Sequence, residues 1–176
     1  MTYPINVEKL GMGIKLNSSK LDLQPVEKDL YLTMITTLMF GSSSLFRERV
    51  RNMKLLNNFY TEWENIEKYH TFYIMASSDN PKELLNKIEK ELDGFNFEEE
   101  SFNRMKKVWI ANEVKMIDDI DSTVHNLFDD YLKYGKVIND KIDIIRSLDF
   151  DIMNKLFKEL DFTNRSVVIM KNIETI

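Results

Sequence analysis

The chain has 176 residues, 43% hydrophobic and 30% charged, with a net charge of -5; this profile fits a single globular domain, residues 1–176, that buries a core unaided. The negative balance argues against nucleic acid as a partner. The absence of cysteine excludes disulfides, thiolate metal sites, iron–sulfur clusters and a cysteine nucleophile.

The opening stretch MTYPINVEKLGMGIKL has no basic region followed by an apolar core, so no secretory signal is expected and the cytoplasm is the expected location. Within it Leu10, Met12, Ile14 and Leu16 alternate with small or charged residues, the period of a half-buried strand. From Pro25, a residue suited to a first helical turn, Val26, Leu30, Met34 and Leu38 recur at helical spacing while Tyr31, Ile35 and Met39 fill a second face, so this helix is expected to be mostly buried. The uncharged run Leu30 to Phe46 contains three threonines, Gly41 and three serines; with fewer than about 18 apolar residues it does not read as a membrane span.

Gly41 can close that helix in the left-handed conformation, and Ser43 or Ser44 can cap a second helix with an apolar edge of Leu45, Phe46, Val50 and Met53. Two stretches rich in aromatic and β-branched residues follow, with Phe59, Thr61 and Trp63 on one face and Phe72, Ile74 and Ala76 on another; they read as paired antiparallel strands. In DNPKELLNKIEKEL, Asn80 as N-cap, Pro81 at the first position and Glu83 in the capping-box position precede Leu84, Leu85, Ile88 and Leu92, an amphipathic helix.

A long helix is expected next, opened by Asn96 and Glu99 in the same capping relation, carrying Phe102, Met105, Trp109, Asn112 and Met116 and breaking near Asp119. Val124, Leu127, Phe128 and Tyr131 line a further helical face that Gly135 ends; Ile142, Ile145 and Leu148 continue the pattern, and Asp149 caps FDIMNKLFKEL. The run Val167 to Met170 is a short continuous apolar stretch typical of an interior strand. The order β-αα-ββ-αααα-β segregates helices from strands, which argues for an α+β domain with helices on one face of a mixed, mostly antiparallel sheet.

Candidate chemistry is sparse. His70 and His125 are the two histidines, and neither sits in H-x-x-E-H or H-E-x-x-H. Asp121 and His125 share i, i+4 spacing, which suits two metal ligands but is commoner on a solvated helix face. Ser42 to Ser44 lack the G-x-S-x-G context of a nucleophile and read as capping residues, and a single glycine fails the phosphate-loop pattern. Arg47, Arg51 and Lys54 share one side of the charged helix with Arg49 at its apolar edge. They read either as a solvated face or as guanidiniums that hold a carboxylate or the carbonyls of an extended peptide.

The segments TTLMFGSSSLFRERV, NNFYTEW and YHTFYIMASS, NPKELLNKIEKEL, FNFEEESFNRMKKVWIANEV, SLDFDIMNKLFKEL and RSVVIMK, in that order, resemble the C-terminal, non-catalytic half of the pitrilysin- or insulysin-type (inverzincin) zinc metallopeptidases, the insulinase and mitochondrial processing peptidase group. The resemblance covers essentially the whole chain. It implies a half-domain of a longer or two-chain protein that walls a chamber for an extended peptide. Zinc is expected on a partner domain and no cofactor in this chain, with neither nucleic acid nor membrane as partner.

In that family the second half often contributes an arginine on the charged helix and a tyrosine seven residues later. Alignment of Leu45 and Phe46 with its motif puts Val50 and Asn57 at those positions. The substrate-binding expectation therefore falls on Arg47, Arg49, Arg51, Asn57 and Tyr60. The alternative is a degenerate member that keeps the fold for structure or protein interaction alone.

Overall fold

The computed structural model describes the chain except residues 1, 4–6, 18–21, 67–68 and 173–176. It is α+β. Among the described residues five strands, β1 (Thr2–Tyr3), β2 (Lys9–Asn17), β3 (Asn58–Ile66), β4 (Tyr69–Ser77) and β5 (Arg165–Asn172), form one sheet in the order β1-β5-β2-β4-β3. The pairings of β2 with β4 and β5, and of β3 with β4, are antiparallel, and the two-residue β1 lies parallel to β5. The helices are α1 (Pro25–Phe40), α2 (Leu45–Asn52), α3 (Pro81–Gly94), α4 (Glu99–Ile117), α5 (Ile120–Tyr134), α6 (Lys141–Ser147) and α7 (Phe150–Glu159). Among the described residues five helices follow β4 where the expected order counted four; the long helical pattern breaks at Asp118 and Asp119, where a break was expected, and Lys141–Ser147 forms a short helix of its own. β1 adds a strand that the alternation pattern did not show.

The chain divides into two compact units. One comprises residues 1–20, 36–96 and 158–176, the other 21–35 and 97–157. In the first, alternation dictates the inner sheet face: Leu10, Met12, Ile14 and Leu16 of β2 stand beside Ala76, Ile74 and Phe72 of β4, all buried. Phe40 at the end of α1 packs on Phe46 of α2, Phe59 of β3 and Phe72 of β4, with ring centroids 5.0 to 6.2 Å apart. Trp63 stacks on Phe72 at 4.8 Å and its Nε1 donates to Thr36 Oγ1 at 3.1 Å. Burying an indole with its N–H satisfied avoids the cost of a lone buried donor.

Helix ends follow local chemistry with two exceptions. Ser44 accepts from Arg47 N, Asn80 from Glu83 N, and Asp149 from Ile152 N, while Gly135 closes α5 at φ 69°. Gly41, however, does not take a positive φ. A Cβ there would lie 2.4 Å from the Thr37 carbonyl oxygen, so the position demands glycine for close approach. The capping pair at Asn96 and Glu99 does not form either. α4 starts after Glu98, which makes no side-chain cap bond, and the helix relies on Glu99 and Glu100 facing its positive end.

β5 is an interior strand, as the apolar run implied, yet it is not buried on both faces. It is interior by pairing, flanked by β1 and β2, but Val167 and Val168 are exposed on opposite faces. A continuous apolar run signals two apolar faces without saying whether anything covers them.

In the second unit, Phe102 packs on Phe150 at 5.6 Å, and Phe97 meets Phe157 edge-on at 5.0 Å. The Tyr31 hydroxyl accepts from Asp149 N at 2.8 Å. Lys106 Nζ donates to the carbonyls of Arg146 and Leu148 at 2.7 and 2.6 Å, placing a cation at the C-terminal end of α6 where the helix dipole favours it. Burial lowers the Lys106 pKa, with Asp149 opposing.

Candidate functional site

Ser44 starts α2, and the helical period then turns Phe46 and Val50 into the core. Arg47 is thereby aimed at the junction of α1 and β3. Its Nε donates to the Phe40 carbonyl at 2.9 Å, its Nη2 to the Phe59 carbonyl at 2.8 Å, and its guanidinium lies 4.6 Å from the Phe59 ring centroid. Burial, together with Arg51 nearby, lowers the Arg47 pKa. The planar fork is thus engaged by the chain's own carbonyls.

The Phe59 carbonyl faces the free side of β3. β3 ends the sheet with β4 as its only neighbour among the described residues. Phe59 N donates to Asn58 Oδ1 at 2.8 Å. Arg47 and Asn58 together therefore satisfy both backbone groups that Phe59 shows to the edge, one of the devices by which an edge strand is protected from a further strand.

The other residues singled out by sequence take separate positions. Arg49 pairs with Glu91 of α3 at 2.5 Å; burial raises the Glu91 pKa and Arg49 partly offsets this. Arg51 is exposed on α2. Asn57 donates from Nδ2 to Asp79 Oδ1 at 3.3 Å and from its backbone N to Ser77 O at 2.9 Å. Tyr60 is exposed opposite Met75 on the outer sheet face, its pKa raised by a hydrogen bond with Glu62. α2 packs on the inner face through Phe46 and Phe59, so α2 and Tyr60 lie on opposite sides of the sheet. Val50 is in the core at 1% exposure.

The remaining chemistry is equally plain. Among the described residues no group of three or more histidine, aspartate and glutamate side chains could hold a metal. His125 Nδ1 contacts the Asp121 carbonyl oxygen at 2.8 Å, a bond to its own helix backbone. Ser44 caps α2. A cavity of about 400 Å³ in the second unit is lined by Val26, Ile138 and Ile144 with Tyr134, Lys136 and Ser147 among its polar groups. Tyr134 there donates to Asp29 at 2.9 Å, and burial followed by the Asp29 charge raises its pKa far above the tyrosine range. Such a hydroxyl holds its proton and does not serve as a base at neutral pH. No helix among the described residues is long and apolar enough to cross a membrane.

Sequence reasoning missed the roles of Asn58 and Thr36. Both act through single hydrogen bonds that depend on which element the tertiary fold brings near, a relation without a periodic signal.

No family model matches the chain, and none of the curated proteins does. Solved structures do. A chain from Alicyclobacillus acidocaldarius described as an M16-like peptidase matches 98% of this chain at TM-score 0.83 and 19% identity, over 43% of its own length. The periplasmic protease PqqL from Escherichia coli matches 98% at TM-score 0.78 and 10% identity, over 20% of its length. The inactive peptidase domain of a zinc protease from Bordetella parapertussis matches at TM-score 0.71 and 12% identity, covering 100% of this chain and 96% of that one. The chain thus has the fold of a half-domain of M16, pitrilysin-like, peptidases, and it spans less than half the length of the first two.

Proposed function

From the fold of an M16 half-domain, we propose that this chain is a non-catalytic, chamber-forming half of a zinc metallopeptidase, enclosing and orienting an extended peptide for a zinc site on another domain or chain. The observation that carries this reading is the placement of the two histidines. His70 lies on β4 and His125 on α5, so no helix of this chain bears the paired histidines and glutamate that hold zinc and activate water in H-x-x-E-H. The zinc centre, when supplied by the partner, furnishes the nucleophilic water. This chain supplies walls and polar groups, with Arg49 and Arg51 of α2 the exposed candidates for contacts with peptide carbonyls or a carboxylate; Tyr60, on the opposite side of the sheet, is outside that set.

A second reading, a structural or interaction domain without peptide handling, is favoured by Val50 and Asn57. The first is core and the second is bound to Asp79, so neither position that the family resemblance gives to substrate offers a free arginine or tyrosine. Kinetics of the assembled enzyme separate the two. Arg49→Ala or Arg51→Ala raises KM or lowers kcat if the helix faces the peptide, and unchanged kinetics for both supports the structural reading. An H-x-x-E-H motif encoded beside or in continuity with this chain is required by the first reading, and its absence sinks it.

A further inference from the structure

The cavity of about 400 Å³ lies wholly inside the second unit, walled by the start of α1, the segment that leaves α5, and α6. Its size falls in the range of small-molecule sites, about 300–1,000 Å³. Val26 and Ile138 are buried and Ile144 is half-buried, whereas Glu27 is half-buried and Lys136 and Asp140 are exposed. Aliphatic side chains thus form the floor and charges the rim. The rim charges are not paired with one another. Among the described residues Glu27, Lys136 and Asp140 make no side-chain hydrogen bond or ion pair, although the neighbouring lysines do: Lys133 reaches Asp29 at 2.9 Å and Lys141 reaches Glu113 at 3.2 Å. Asp140 opens α6 without capping it. Charges of both signs therefore border one apolar-floored cavity, held apart by the three segments that carry them.

We propose that this cavity binds a small zwitterion with an aliphatic side chain, a free amino acid of the leucine type, its carboxylate on Lys136 and its ammonium on Glu27 and Asp140. The charge balance selects this class. A simple carboxylate meets one opposite and two like charges at the rim, and a simple amine leaves Lys136 both unpaired and repelled. A ligand that carries both charges finds a partner for each, and the floor of Val26, Ile138 and Ile144 takes its side chain out of water. The interior of a peptide chain carries neither terminal charge, so the proposal does not depend on the peptidase reading.

Titration of the chain with L-leucine, followed by the methyl NMR signals of Val26, Ile138 and Ile144 and by calorimetry, tests it. The expected result is saturable movement of those signals with a Kd on the order of 0.1–1 mM. Lys136→Met and Asp140→Asn each weaken binding about tenfold, the loss of one charge-assisted contact. Both positions are exposed, so the circular dichroism stays unchanged. Isocaproate, which lacks the ammonium, and isopentylamine, which lacks the carboxylate, bind about tenfold more weakly than L-leucine or not at all. Methyl signals that stay unmoved at tens of millimolar L-leucine overturn the proposal. So does binding indifferent to Lys136→Met and Asp140→Asn, or an analogue with one charge that binds as tightly as L-leucine, the signature of a site that reads the side chain alone.

Discussion

Arg47 donates to the Phe59 carbonyl at 2.8 Å across the free edge of the sheet, tying a surface helix to the strand that an incoming chain would otherwise extend. A charge-assisted hydrogen bond to a part-buried carbonyl contributes about 1.5–3 kcal/mol. Arg47→Met keeps the stem and removes both such bonds. We expect a loss of about 2–3 kcal/mol in urea unfolding together with concentration-dependent association through β3. A variant as stable and as soluble as the parent would contradict the guard role.

Ser44→Ala should cost about 1 kcal/mol through loss of the cap on Arg47 N, while Ser42→Ala and Ser43→Ala stay within about 0.5 kcal/mol. Chemical denaturation of the three variants measures this. Equal losses at all three positions would remove the distinction between cap and turn.

The two glycine substitutions separate conformation from space. Gly135→Ala places a Cβ at φ 69° with open space around it, a strain of about 1 kcal/mol. Gly41→Ala brings a Cβ to 2.4 Å from a backbone oxygen, so it should be the more destabilising of the pair. Thermal melts in which Gly135→Ala proves the worse would refute the close-approach account.

Glu91 titrates above its ordinary value because burial disfavours its charge, with Arg49 pulling the other way. A carboxyl whose folded pKa is raised holds its proton more tightly in the folded state. Its stabilising contribution is therefore complete below the unfolded pKa, near 4.5, and is lost as pH rises through the higher folded value. Carboxyl NMR should show Glu91 above 4.5, moving higher in Arg49→Ala. A downward move would mean that the pair at 2.5 Å does not form in solution.

The strands and capped helices were legible because period and cap residues are local properties. β2, β3 and β4 carry their inner faces at alternate positions, and Asn80, Ser44 and Asp149 cap where their side chains reach the next turn. The exposure of β5 and of the apolar side of α5 was not legible, since Val167 and Val168, like Val124, Leu127, Phe128 and Tyr131, all exposed in the fold, state which side is apolar but not what lies against it. Arg47 illustrates the limit for site residues. Its place on the helix was readable, whereas its engagement with two carbonyls distant in sequence required the fold. Arg51 and Tyr60 share neither element nor sheet face, a separation that their closeness along the chain concealed.

On the proposed reading the chain binds no zinc of its own and does not cleave peptide. The most direct measurement is elemental analysis of the purified chain after incubation with zinc and removal of free metal, paired with hydrolysis of a fluorogenic unstructured peptide by the same sample. The expected result is no stoichiometric zinc and no chelator-sensitive cleavage. One zinc per chain accompanied by cleavage that a chelator abolishes would contradict it.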